Sequence, residues 1–152
     1  MFSIIFKLPV VLVFIFSSIM TMFDYLGVGI IINISNNGFI SLSLFTFGLM
    51  IIAIGGYTFK KFKTTVNPLY PDKASHLVAS GIYSISRNPM YVGYLCWLLA
   101  AAIFLENILN VLLLPIFIIL VNRLYIQPEE QALERIFKDK FVLYKSRVRR
   151  WL

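Results

Sequence analysis

Residues 39–59 read FISLSLFTFGLMIIAIGGYTF, 21 residues without a single charge. A helix of about 20 apolar residues crosses the roughly 30 Å hydrocarbon core of a bilayer. A soluble chain of this length would have to hide more apolar surface than it has interior. The rest of the chain agrees: 59% of its 152 residues are hydrophobic and the mean hydropathy is +0.83, far above a soluble domain. Working outward, three more apolar stretches occupy residues 9–23 (beginning as early as Ile4), 91–105 and 108–126. Pro9 suits a first helical turn, where its missing N–H costs little. Pro115 lies inside the fourth stretch and is expected to kink it. The third is short, which suggests that its helix begins within Arg87-Asn88-Pro89. The expected fold is an all-α membrane protein of about four transmembrane helices in one domain, 1–152. Residues 1–59 form a hairpin scaffold, and 60–152 carry the chemistry.

Charge sets the orientation. With the N-terminus inside, the outer connections are residues 24–38 and Glu106-Asn107, and neither contains Lys or Arg. All 14 basic residues then lie on the inner side, as the positive-inside rule expects for short loops. Both termini are therefore expected in the cytoplasm. The net charge of +7 reads as a topology signal and an attraction to anionic lipid, with no nucleic-acid partner implied. No small-x-small cleavage site follows the first apolar run, so a cleavable signal peptide is not expected. Cys96 is the lone cysteine and His76 the lone histidine. Neither disulfide framework nor metal site is expected.

Polar chemistry gathers in two places. Gly81-Ile82-Tyr83 and Arg87-Asn88-Pro89-Met90-Tyr91-Val92-Gly93 stand at the entrance of the third span. Glu129-Glu130 follow the fourth span, and the loop between those two helices is a few residues long. Antiparallel neighbours would bring both groups to the inner face. Residues 128–148 are expected to form one basic amphipathic helix, with Pro128 at its first position and Glu129-Glu130 in its first turn. Its apolar side is Leu133, Phe137, Phe141, Tyr144 and Val148. Residues 64–80 are a proline-bearing inner loop. Taken singly, Arg87 could be an interfacial anchor, the tyrosines an aromatic belt and the glutamates a helix start.

Taken together and in order, these elements resemble the integral membrane methyltransferases that include isoprenylcysteine carboxyl methyltransferases and phospholipid N-methyltransferases. The resemblance runs from Thr64-Thr65-Val66-Asn67-Pro68 through the Arg-Asn-Pro-x-Tyr-x-Gly element and Glu129-Glu130 to Tyr144-Lys145-Ser146-Arg147-Val148-Arg149-Arg150-Trp151. Asn88 stands where the carboxyl-methylating enzymes carry histidine, and Arg149 where proline is common. What the resemblance implies is an S-adenosylmethionine pocket at the inner face of the membrane, in a bacterial-type cell membrane. Tyr83, Arg87, Asn88, Pro89, Tyr91 and Gly93 would line one side of it, and Glu129 and Glu130 would close the other.

An enzyme of this kind transfers a methyl group to a lipid or lipophilic small-molecule acceptor. A carboxylate acceptor needs a cation to orient it, for which Arg123 or Arg87 would serve. An amine must first lose a proton, for which Glu129 or Glu130 would act as base. Both kinds of residue are present. The loss of the histidine leans the expectation toward a lipid or small lipophilic acceptor, with isoprenylcysteine-type carboxyl methylation as the alternative. From other classes, a four-helix transporter of lipophilic cations would need a carboxylate inside a span, and a non-catalytic membrane anchor would bind no donor.

Overall fold

The computed structural model describes residues 9–62 and 76–152, so the expected inner loop falls mostly outside the described residues. Among the described residues six α-helices follow in order: α1 (Pro9–Tyr25), α2 (Asn37–Lys61), α3 (Pro89–Phe104), α4 (Ile108–Val121), α5 (Gln127–Phe137) and α6 (Asp139–Arg147). A 3₁₀ turn (Gly81–Ser84) precedes α3, and a π turn (Asn122–Ile126) joins α4 to α5. The architecture is all-helical, with two isolated β-bridges among the described residues, Ile31 with Asn107 and Ser86 with Arg149.

Among the described residues two helices are long and apolar enough to cross a membrane: Asn37–Lys61 and the continuous Ile108–Phe137. The other two apolar helices, Pro9–Tyr25 and Pro89–Phe104, are shorter, with 17 and 16 residues. At 1.5 Å per residue they rise only about 25 Å. The surface is in keeping with lipid: Phe39, Leu42, Phe47, Met50 and Ile54 of α2 are all exposed. So large a run of exposed apolar side chains marks a surface that does not face water.

Helix α3 is the centre of the bundle. On one side Trp97 meets Phe14 of α1 and Phe45 of α2 edge to face, at 5.7 and 5.0 Å between ring centroids. On the other, Tyr91 and Leu98 join Val13, Phe16 and Met20 of α1 and Leu114, Phe117 and Val121 of α4 in one buried cluster. The approach of α2 to α3 depends on glycine. A Cβ added at Gly48 would lie 2.8 Å from the carbonyl oxygen of Gly93, and one at Gly93 would lie 2.6 Å from Ile52 Cγ1. Seven residues along the same face, a Cβ at Gly55 would lie 2.9 Å from Met90 Cγ. Small residues at such crossings let helix backbones pack closely where no hydrophobic effect drives them together.

The far end of the bundle is tied by the α3–α4 turn. Glu106 accepts backbone N–H bonds from Ile32 at its carbonyl (2.7 Å) and from Ile34 at Oε1 (2.8 Å). Asn107, 3% exposed, donates from Nδ2 to Val28 O at 2.8 Å and caps α4 by accepting from the Leu109 amide.

Two expectations need correction. Glu129 and Glu130 do not begin a separate helix, because α4 runs through the π turn into α5 without a free N-terminus. The Gln127 amide reaches back five residues to Asn122 O. Pro128 supplies the reason: it has no N–H, and its ring would crowd the carbonyl of Leu124 in a regular turn. The expected amphipathic helix over 128–148 is also two helices. Lys138 takes φ 46°, ψ −124°, a conformation outside both the right- and left-handed helical wells, and the chain turns back there. Pro115 sits on the exposed face of α4, within an uninterrupted helix.

Candidate active site

The two halves of the motif do meet. Glu129 and Glu130 are consecutive on α5, about 100° apart around the helix axis, so they reach different partners. Glu130 is clamped between two guanidinium groups. Arg87 donates from Nε (3.2 Å) and a terminal nitrogen (2.7 Å) to Oε1. Arg150 donates from Nε to Oε1 (3.1 Å) and from a terminal nitrogen to Oε2 (2.6 Å). The second terminal nitrogen of Arg87 donates to the carbonyls of Val148 (2.6 Å) and Lys145 (3.1 Å). Every guanidinium nitrogen of Arg87 is thus engaged within the protein.

Glu129 takes a different course. The Tyr91 hydroxyl donates to its Oε1 at 2.9 Å. Around Tyr91 stand Tyr94 and Tyr125, with ring centroids 6.2 and 6.3 Å away. Both glutamates lie past Ile126, beyond the apolar part of the long helix, and their charges diverge. Burial pushes the Glu129 carboxyl up to about 7; the Tyr91 hydrogen bond opposes this, and the negative charge of Glu130 adds to it. Burial would raise Glu130 too, but the hydrogen bonds and charges of Arg150 and Arg87 outweigh it and hold the group below the usual carboxylate range.

The segment from Val148 to Trp151 completes the site. The Arg87 amide donates to Arg149 O (3.0 Å), and Asn88 Nδ2 donates to Arg150 O (3.0 Å). Tyr144 donates its hydroxyl to the Tyr83 carbonyl at 2.6 Å, and Trp151 Nε1 donates to Asn122 Oδ1 in the π turn at 3.3 Å. A widened turn exposes backbone and side-chain polar groups that a regular one keeps for itself.

Arg87, Asn88, Tyr91, Glu129 and Glu130 therefore converge. Pro89 is buried at the first position of α3. Tyr83 packs edge to face on Phe59 of α2 and lies within electrostatic reach of Glu129, while Gly93 lies in the α2–α3 crossing. Arg123 is exposed on the π turn, and the glutamates take their partners elsewhere. His76 stacks on Phe62 at 5.0 Å, away from the glutamates' partners. Arg150 was not singled out from the sequence as a site residue. The signal was there in retrospect: a buried acid at 130 demands cations, and residues 147–150 carry three of them.

Comparison with known proteins identifies a family. The family model for phospholipid methyltransferases matches residues 36–140. An uncharacterized protein of Haemophilus influenzae is 44% identical over 63 residues, 41% of this chain and 100% of its own length. The protein-S-isoprenylcysteine O-methyltransferase of Saccharomyces cerevisiae is 36% identical over 75 residues, and that of Schizosaccharomyces pombe 33% over 72. Each of those two matches covers 47% of this chain and 30% of the relative. No solved structure matches significantly. With over two thirds of its length inside the family model, and with the motif residues of both halves in mutual contact, the chain belongs to the phospholipid methyltransferase family of membrane methyltransferases.

Proposed function

We propose that this protein transfers the methyl group of S-adenosylmethionine to a lipid or lipophilic acceptor at the inner face of a cell membrane, which it crosses four times with both termini in the cytoplasm. The observation that carries the reading is the Tyr91–Glu129 pair set beside the Arg87–Glu130–Arg150 clamp at one end of an apolar bundle. Two features of the donor set fit the cofactor. Glu129 commits one carboxylate oxygen to Tyr91, which leaves the two lone pairs of the other for a ribose hydroxyl of the donor and an amine proton of the acceptor. The rings of Tyr91, Tyr94 and Tyr125 are suited to a sulfonium and an adenine. When bound, the cofactor supplies an electrophilic methyl group on a cationic sulfur.

The protein's own part is alignment and the exclusion of water. Arg87 and Asn88 contribute by holding residues 148–150 and Glu130 in place. Glu129 is the base for an amine acceptor: a carboxyl with a pKa of about 7 takes an ammonium proton near neutral pH and passes it on. Arg123, exposed on the π turn, is the cation that would attract an anionic headgroup or a carboxylate.

The yeast relatives favour a second reading, in which the acceptor is an isoprenylcysteine carboxylate. Transfer of labelled methyl from S-adenosylmethionine by the purified protein, offered lipid extract and a prenylcysteine in parallel, separates the two. Labelled lipid is the expected result. Label on the prenylcysteine alone would replace the first reading with the second, and label on neither would defeat both.

A further inference from the structure

Glu130 accepts four charge-assisted hydrogen bonds, three on Oε1 and one on Oε2. Arg150 supplies the bond to Oε2. Arg87 alone would leave the carboxylate free to swing about its last torsion, which is broad and soft. A guanidinium at each edge removes that freedom. The backbone of the same residue closes the connection: Arg150 O accepts from Asn88 Nδ2 at 3.0 Å and from Ser86 Oγ at 3.4 Å. Arg150 thus joins α5, the Ser86-Arg87-Asn88 segment and the start of α3. Glu129, one residue away, has no cation on it among the described residues and takes its hydrogen bond from Tyr91 on Oε1.

We propose that Arg150 is a positioning residue: it locks Glu130 against Arg87 and fastens residues 148–151 over the start of α3, so that Glu129 with Tyr91, rather than Glu130, meets the reacting groups. The role rests on the methyl-transfer reading above. It divides the acidic pair into one structural anion and one working carboxyl.

The test is equilibrium binding of S-adenosylhomocysteine to the full chain in lipid nanodiscs. Arg150→Ala should weaken binding about tenfold, the scale of one lost hydrogen bond to a charged group. It should also speed amide exchange at residues 86–88 while the α2–α3 crossing stays protected. Added ethylguanidinium should restore binding, and Arg150→Lys should keep part of it. A folded Arg150→Ala protein that binds as tightly as wild type, or that ethylguanidinium does not rescue, overturns the positioning role alone. Should Arg150→Ala fail to fold, Arg150→Lys decides: weaker binding at an unchanged melting temperature supports the role, and wild-type binding overturns it. A folded wild-type protein that binds no S-adenosylhomocysteine overturns the methyl-transfer reading and this role with it.

Discussion

Each end of the bundle is tied by a glutamate, and the two are tied in opposite ways. At the α3–α4 turn, Glu106 accepts from the Ile34 amide, a neutral donor. At the other end, Glu130 accepts from two guanidinium groups and is 8% exposed. The first carboxylate needs only to be an acceptor. The second needs to be an anion, because Arg87 is buried with it and Arg150, partly exposed, reaches in to the same carboxylate. A clasp made of neutral groups survives changes of charge; a clamp made of ions fails when one member is removed.

The sharpest way to break this contrast is Arg87→Ala. It removes the buried one of the two cations on Glu130 together with the bonds to the Val148 and Lys145 carbonyls, leaves Arg150 as the remaining partner, and is expected to lower the melting temperature in detergent more than any other single change here. Glu130→Gln follows. The amide keeps the shape but cannot pair both guanidinium groups, so donor binding should drop about tenfold or more, on the scale of hydrogen bonds to charged groups. Glu106→Gln should be close to neutral by the same melting assay, since the amide oxygen still accepts from Ile34. Glu106→Ala should cost about 1 kcal/mol, one ordinary hydrogen bond. Equal losses for Glu106→Gln and Glu130→Gln would erase the distinction.

The pH dependence of the adjacent acids carries opposite signs. Glu130, lowered in the fold, stabilises above the usual carboxylate pKa, and that contribution is lost as pH falls through its folded value. Glu129 is raised, so its contribution is present below the usual carboxylate pKa and is lost as pH rises through about 7. With an amine acceptor, the rate of methyl transfer should climb with pH up to about 7 and level off. Glu129→Gln should flatten that limb, as a pH–rate profile would record.

Much of this was legible before any coordinates. Apolar length marked all four helices, and the short loop at Glu106-Asn107 required α3 and α4 to be neighbours. That alone brings Arg87 near Glu130. The π turn was not legible, because it follows from how Pro128 is accommodated inside a continuous helix. A proline after an apolar run reads equally well as a helix start. The break at Lys138 left no signal either, since lysine has no preference for its backbone angles there. Gly93 was expected to line the cofactor side and to allow close approach of a helix or of the ligand, and the structure packs it against Gly48 and Ile52. A glycine in sequence announces a close approach without naming what approaches.

The reversal at Lys138 also has a consequence in time. It sends the chain back to Asn88, whose partner Arg150 follows 62 residues later. At 5–20 residues per second that gap takes about 3–12 s of synthesis. Within it α3 and α4 can already enter the bilayer, and until Glu130 emerges, 43 residues after Arg87, the arginine waits at the boundary as an unmatched cation. Such a cation resists translocation, so in the proposed orientation the arginine that later closes the clamp would first hold its end of the helix on the cytoplasmic side.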